Sequence, residues 1–244
     1  MKLDNITIDT MTVAEIVTEN IRTADIFKKN GIDFCCGGNI LTKDICEKKN
    51  VNYEQLKNDI LNLNANSSSG HDFNSWDLDF MVDFIMNTHH KYVLSANELI
   101  IQYSDKVASV HGKEHPEVIR INQLFHTLVG ELKMHMHKEE VILFPYIKQI
   151  SEANKNNTQL IPGHFGSIQN PINMMEAEHD GAGDIIKEIK ELTNNFTPPL
   201  DACNTYKALY SKLEEYQNDL FQHIHLENNI LFPKAIKLEQ LLLN

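Results

Sequence analysis

Apolar positions recur through most of this chain at intervals of three and four residues, the spacing of one helix face. From Asp77 onward they predict four long amphipathic helices. In the first, Leu78, Val82, Ile85, His89, Tyr92, Ala96 and Leu99 alternate at four and three residues, the seam of a helix packed in a bundle. The second begins near Pro116, a residue suited to the first helical position, and its seam runs Ile121, Phe125, Leu128, Leu132, His135, Glu139, Ile142, Tyr146. A third starts at Asn170-Pro171 with Ile172, Met175, His179, Ala182, Ile186 and Ile189 on its seam. The fourth starts near Asp201 and carries Leu209, Leu213, Tyr216, Leu220, His223, Glu227 and Ile230. Each seam holds its register straight through its polar members. Pro145 and Pro233 each fall six residues after a seam glutamate, where they are expected to kink or end the helix. The longest connection is expected over about 151–170, and up-down-up-down is the simplest topology.

Upstream, residues 12–29 carry apolar side chains at 13, 16, 17, 21, 24 and 27, which reads as one helix. Thr12 and Glu15 stand at the two positions of a capping box, and Asn30-Gly31 is the stop. A loop with two adjacent thiols and two glycines follows, Ile32-Asp-Phe-Cys35-Cys36-Gly-Gly-Asn39, and then shorter helices at 42–49 and 53–62. Residues 64–75 are polar, small and aperiodic, which marks a linker. The expected fold is all-α: a small helical domain over 1–65, a linker over 66–76, and an antiparallel four-helix bundle over 77–244.

Composition narrows the function. No run approaches 18 consecutive apolar residues, and Met1-Lys-Leu-Asp-Asn5 does not open a basic segment leading into an apolar one. A cytoplasmic protein with no membrane partner is expected. A net charge of -12 argues against binding a phosphate backbone, so nucleic acid is not an expected partner. Four cysteines are too few for a disulfide scaffold. Two of them are adjacent, which suits a reducing compartment where a pair serves as ligand or redox group.

The chemistry lies on the seams. His135-Met-His-Lys-Glu139 and His223-Ile-His-Leu-Glu227, each running on to Ile-Leu-Phe-Pro, are one motif repeated 88 residues apart. In each, His and Glu are one turn apart on one helix face. With His89 and His179 the seams present four imidazoles and two carboxylates. A single buried histidine is ordinarily a hydrogen-bonded core residue, but six such groups on facing seams are different. Burying two unpaired carboxylates costs several kcal/mol each, and two divalent ions remove that cost. Glu139 and Glu227 can bridge the two ions, each ion taking two histidines. With an oxo or hydroxo bridge, five ligands per ion leave a position open to a small diatomic molecule. Imidazole and carboxylate suit iron, manganese or zinc alike. His89 is preferred to His90 because it lies on the seam. His137 and His225 are assigned to the surface or to a supporting role, and Glu131 and Glu178 stand where they could hydrogen-bond the ligand imidazoles.

Several stretches together resemble a known family, the iron-sulfur cluster repair di-iron proteins (repair of iron centres). They are Asp33-Phe-Cys-Cys-Gly-Gly38, Asn87-Thr-His-His90, Glu131-Leu-Lys-Met-His-Met-His-Lys-Glu-Glu-Val-Ile-Leu-Phe-Pro145, Glu178-His-Asp180, Thr197-Pro-Pro-Leu-Asp-Ala-Cys203 and His223-Ile-His-Leu-Glu-Asn-Asn-Ile-Leu-Phe-Pro233. The resemblance implies a hemerythrin-like bundle with two non-haem iron ions on His89, His135, Glu139, His179, His223 and Glu227. It also implies repair of clusters damaged by oxidative or nitrosative stress, with damaged iron-sulfur proteins as partners, and a homodimer. NO and O2 are the small ligands it implies, and nitric oxide reduction or sensing is the alternative activity. Oxygen-carrying hemerythrins hold iron with five histidines, against four on these seams. Cys35 and Cys36 match the family's adjacent pair, expected to be accessible and to pass on iron, bind nitric oxide or dock a client.

Overall fold

The computed structural model describes residues 5–65 and 72–243. Thr12 caps α2 (Val13–Glu19) with the expected box, its side chain accepting from Glu15 N–H while the Glu15 carboxylate accepts from Thr12 N–H. The apolar stripe then continues, but the helix does not. Asn20 turns to φ -151° and its side chain accepts from Arg22 N–H, so a 3-10 turn (Ile21–Thr23) separates α2 from α3 (Ala24–Lys29). Gly31 ends that segment at φ 66°, a left-handed conformation open to glycine. With α1 (Asn5–Ile8), α4 (Thr42–Lys49) and α5 (Tyr53–Ala65) these elements form the amino-terminal unit. Residues 66–71 of the linker-like stretch lie outside the described residues. Its end does not behave as a linker, since Phe73 is buried and packs edge-on against Trp76 at 4.7 Å.

Each of three bundle helices consists of two α-helical segments joined by one π-helical turn. The first is α6 (Leu78–Ile85), Met86–His90, α7 (Lys91–His111), and the second α8 (Glu117–Lys138), Glu139–Leu143, α9 (Phe144–Asn156). The fourth is α11 (Asn204–Leu226), Glu227–Leu231, α12 (Phe232–Leu243). Only the third, α10 (Gln169–Leu192), runs unbroken. Helix α7 packs on α8 and α11, and α10 on α8 and α11, which closes an antiparallel four-helix bundle with no strand among the described residues.

A π-turn adds one residue to the helix, so the buried face moves one position onward beyond it. The first seam shows this. Leu78, Val82 and Ile85 are buried as expected, but after the turn burial passes from Tyr92 and Leu99 to Val93 and Ile100. In the second helix Leu143 replaces Ile142, which is exposed. Neither proline ends its helix. Pro145 and Pro233 occupy the second position after a π-turn, where the altered bonding pattern accommodates a residue without an N–H.

The core divides into two apolar clusters with a polar layer between them. On one side lie Val93, Leu132, Ala182 and Leu220, and on the other Ile85, Leu143, Met175 and Leu226. The amino-terminal unit belongs to the first cluster. Phe34 meets Phe221 edge-on at 6.3 Å, and Asn229 of the fourth helix donates to the Cys35 carbonyl at 3.2 Å.

Candidate metal centre

Between the two clusters the bundle carries two interlocking quartets. His90, Glu139, His223 and Glu227 form one, and His135, Glu139, His179 and Glu227 the other, with ligating atoms of each quartet within 4.8 Å of one another. All six residues are at most 2% exposed. Glu139 and Glu227 belong to both. Exchanging the first bundle helix with the third, and the second with the fourth, carries one quartet onto the other.

Five of the six expected side chains thus come together, and His89 does not join them. The π-turn over Met86–His90 is the physical reason, because it brings the residue one place beyond the seam to the centre. His90 Nε2 lies 3.4 Å from Glu139 Oε2. His89 is buried too, but its Nδ1 meets Asp219 at 2.9 Å and its ring stacks on His223, with centroids 5.6 Å apart.

The donor atoms fit a pair of cations. His90 Nε2, both His223 nitrogens and all four oxygens of Glu139 and Glu227 are buried without a hydrogen bond, and each such orphan ordinarily costs about 1–3 kcal/mol. His135 and His179 state the requirement most sharply. Their Nδ1 atoms donate outward, to Glu178 at 2.9 Å and to Asn228 at 2.8 Å, which leaves two Nε2 atoms facing each other at 3.0 Å. Two lone pairs at that distance repel unless a cation or a proton lies between them.

Without metal, a proton takes that place. Burial pushes His135 down, but Glu139, Glu227 and Glu178 outweigh it and raise its pKa to about 9. Glu139 and Glu227 are held below the usual carboxylate range despite burial and mutual repulsion, Glu139 by His135 and His90, and Glu227 by His223 and His179. A metal ion must displace the His135 proton, so affinity rises with pH up to about 9 and falls below it. Loading the metal-free chain in weakly buffered solution at neutral pH should release at least one proton, from His135 and from His90, where Glu139, Glu227 and Glu140 outweigh burial and raise the pKa too. Titration with a pH indicator checks it, and no release would mean that His135 is unprotonated or unbound.

The outward hydrogen bonds also follow the two-fold relation. His90 Nδ1 is 2.7 Å from Glu140, and His179 Nδ1 bonds Asn228, each partner being the residue after a shared glutamate. Sequence reasoning missed both, although their position beside Glu139 and Glu227 was the available sign. The relation breaks at one place. Glu178, just before His179, anchors His135 and is itself paired with Lys138. Its counterpart just before His90 is His89, and His223 Nδ1 has no acceptor. Glu131 and His137 are exposed. His225 is fully buried against the amino-terminal unit, its ring 5.9 Å from that of Phe34.

The thiol pair approaches this layer. A Cβ placed on Gly183, one turn beyond His179, would lie 3.8 Å from Cys36 Sγ. Cys35 is not accessible as expected, being 3% exposed with its thiol donating to Asp33 Oδ1 at 3.2 Å. The Cys36 thiol, burial and the Asp33 charge together push its pKa well up. Cys36, half-buried, is the open member of the pair.

Residues 81–235 match the model of the hemerythrin HHE cation binding domain, and residues 9–64 match a domain of unknown function (DUF542). A probable iron-sulfur cluster repair protein of Haemophilus influenzae is 37% identical over 213 residues, 86% of this chain and 90% of the relative. The iron-sulfur cluster repair protein YtfE of Yersinia pestis is 34% identical over 216 residues, 88% of this chain and 92% of the relative. With the bundle, the paired quartets and both domain matches in place, the chain belongs to the family of iron-sulfur cluster repair proteins that carry a hemerythrin HHE cation binding domain.

Proposed function

We propose that this chain is a di-iron protein of the cytoplasm that restores iron-sulfur clusters damaged by oxidative or nitrosative stress, by donating iron to the damaged protein. The observation that carries the reading is the pair of quartets sharing Glu139 and Glu227, with Cys36 over the turn that follows His179. The ligands would be His90, His135, His179 and His223 with the two glutamates, His90 standing where the seam reading had His89. Bound iron is the cargo of the repair.

The chain's own groups suit holding and release. Glu178, Asn228 and Glu140 fix the imidazoles of His135, His179 and His90, so these present Nε2 to the centre. The flanking apolar clusters exclude water from the donor atoms. Within the thiol pair the Cys35 proton is held by Asp33, so Cys36 is the sulfur assigned to receive iron. Four free cysteines, two of them adjacent, accord with a reducing cytoplasm.

The test is a transfer assay. The protein is loaded with isotopically labelled iron and incubated with a [4Fe-4S] hydratase inactivated by nitric oxide, and label is counted on each partner as activity returns. Movement of label with recovered activity is expected, and Cys36→Ser should slow transfer at least tenfold while leaving the bound iron in place. Label that stays in the bundle while nitric oxide is consumed would overturn donation in favour of nitric oxide reduction.

A further inference from the structure

An acidic chain, with 34 Asp and Glu against 22 Lys and Arg, gathers four lysines around one cavity away from the metal layer. The cavity, of about 420 Å³, opens between the amino-terminal unit and the bundle, with Lys28 and Lys49 on one side and Lys187 and Lys190 of α10 on the other. Two carboxylates, Asp33 and Glu191, also line it. Asp33 is committed, one oxygen to the Cys35 and Cys36 N–H groups and the other 3.5 Å from Lys187. Lys28 reaches Asn218 and Glu214, and Lys49 the Gly31 carbonyl. Lys190 is half-buried, and its carbonyl accepts from Asn195 N–H and Thr193 Oγ1, but its ammonium has no ion pair within 4.0 Å or hydrogen bond among the described residues. Burial, Lys28 and Lys49 push its pKa down and outweigh the Glu214 charge, which pushes it up, so the cation is only partly compensated.

A second observation points at a ligand independently of the charges. Gln217 of α11 lines the same cavity, is 1% exposed, and has neither its amide nitrogen nor its amide oxygen hydrogen-bonded. Buried amides are almost always satisfied. Here the donor and the acceptor adjoin a space bounded by cations. Asn195 and Gly31 also line it, and the apolar part of the wall comes from Ile32, Phe34 and Phe221. A space of this size exceeds an inorganic ion and sits in the range of small-molecule pockets. We propose that this cavity binds a small organic acid bearing two or more acidic groups, its charges on Lys190 and the neighbouring lysines, its carbon skeleton against the aromatic wall, and one polar group on Gln217.

The test is calorimetric titration of the full, metal-loaded chain with tricarballylate, which has three carboxylates and no chelating hydroxyl. A parallel titration uses 3-phosphoglycerate, which carries one carboxylate and one phosphate. Submillimolar binding of either supports the site, and the preferred probe names the acid group. Lys190→Gln and Gln217→Leu should each weaken it at least tenfold, about 1.4 kcal/mol. Both variants should fold and melt no lower than the parent, because one loses a half-buried cation crowded by Lys28 and Lys49 and the other an unsatisfied amide. No binding of either probe at millimolar concentration would overturn the proposal. So would binding of inorganic phosphate alone, binding indifferent to both substitutions, or a lowered melting temperature for Lys190→Gln.

Discussion

Replacing Glu139 by alanine is expected to remove both bound metal ions rather than one. Its carboxylate belongs to both quartets, is fully buried, and lies within reach of His90 Nε2 and His135 Nε2, each 3.4 Å from the same oxygen. Without it each position keeps two imidazoles and a share of Glu227, too little anionic charge for a divalent ion away from water. A ligand at a thousand times its dissociation constant contributes about 4 kcal/mol to the folded state. The parent chain should therefore lose tens of per cent of its stability, on the order of that figure, when a chelator strips it. The variant should melt at the same temperature with or without metal. Elemental analysis and paired thermal melts decide it, and one firmly held ion per variant chain would show that Glu139 does not bridge.

His90→Ala should cost one ion, and His89→Ala none. The two histidines are neighbours and both are buried, so exposure does not separate them. Geometry does: His90 presents Nε2 to Glu139 while Glu140 holds its Nδ1, and His89 faces Asp219 with its ring against His223. Metal content near one per chain for His90→Ala and near two for His89→Ala is expected. The reverse pattern would restore the heptad assignment and remove the role given to the π-turn.

That pair marks how far the sequence could be read. Four seams and five of the six clustered residues were legible, because His135, Glu139, His179, His223 and Glu227 keep the spacing of their apolar neighbours and a repeated motif carries four of them. The extra residue in the first helix was not. Heptad arithmetic assumes an unbroken helix, and nothing in Met86-Asn-Thr-His-His90 announces a wider turn. Local polar chemistry likewise overrode the apolar stripe at Asn20, whose side chain and backbone end α2 although the spacing continues. Glu140 and Asn228 were passed over because their value depends on which imidazole faces them across the bundle. His225 looked peripheral on its own helix, and it is the amino-terminal unit that buries it.

The break in the two-fold relation makes the two cation positions unequal. At one, both imidazoles are fastened from behind, by Glu178 and Asn228; at the other, His90 is fastened and His223 is not. Loss of such an outer partner typically weakens metal affinity about 10- to 100-fold. If both positions hold iron, as proposed, the two would empty at different thresholds, and one ion could leave while the other still held the ligands together. Two equal sites would offer no fixed order of release.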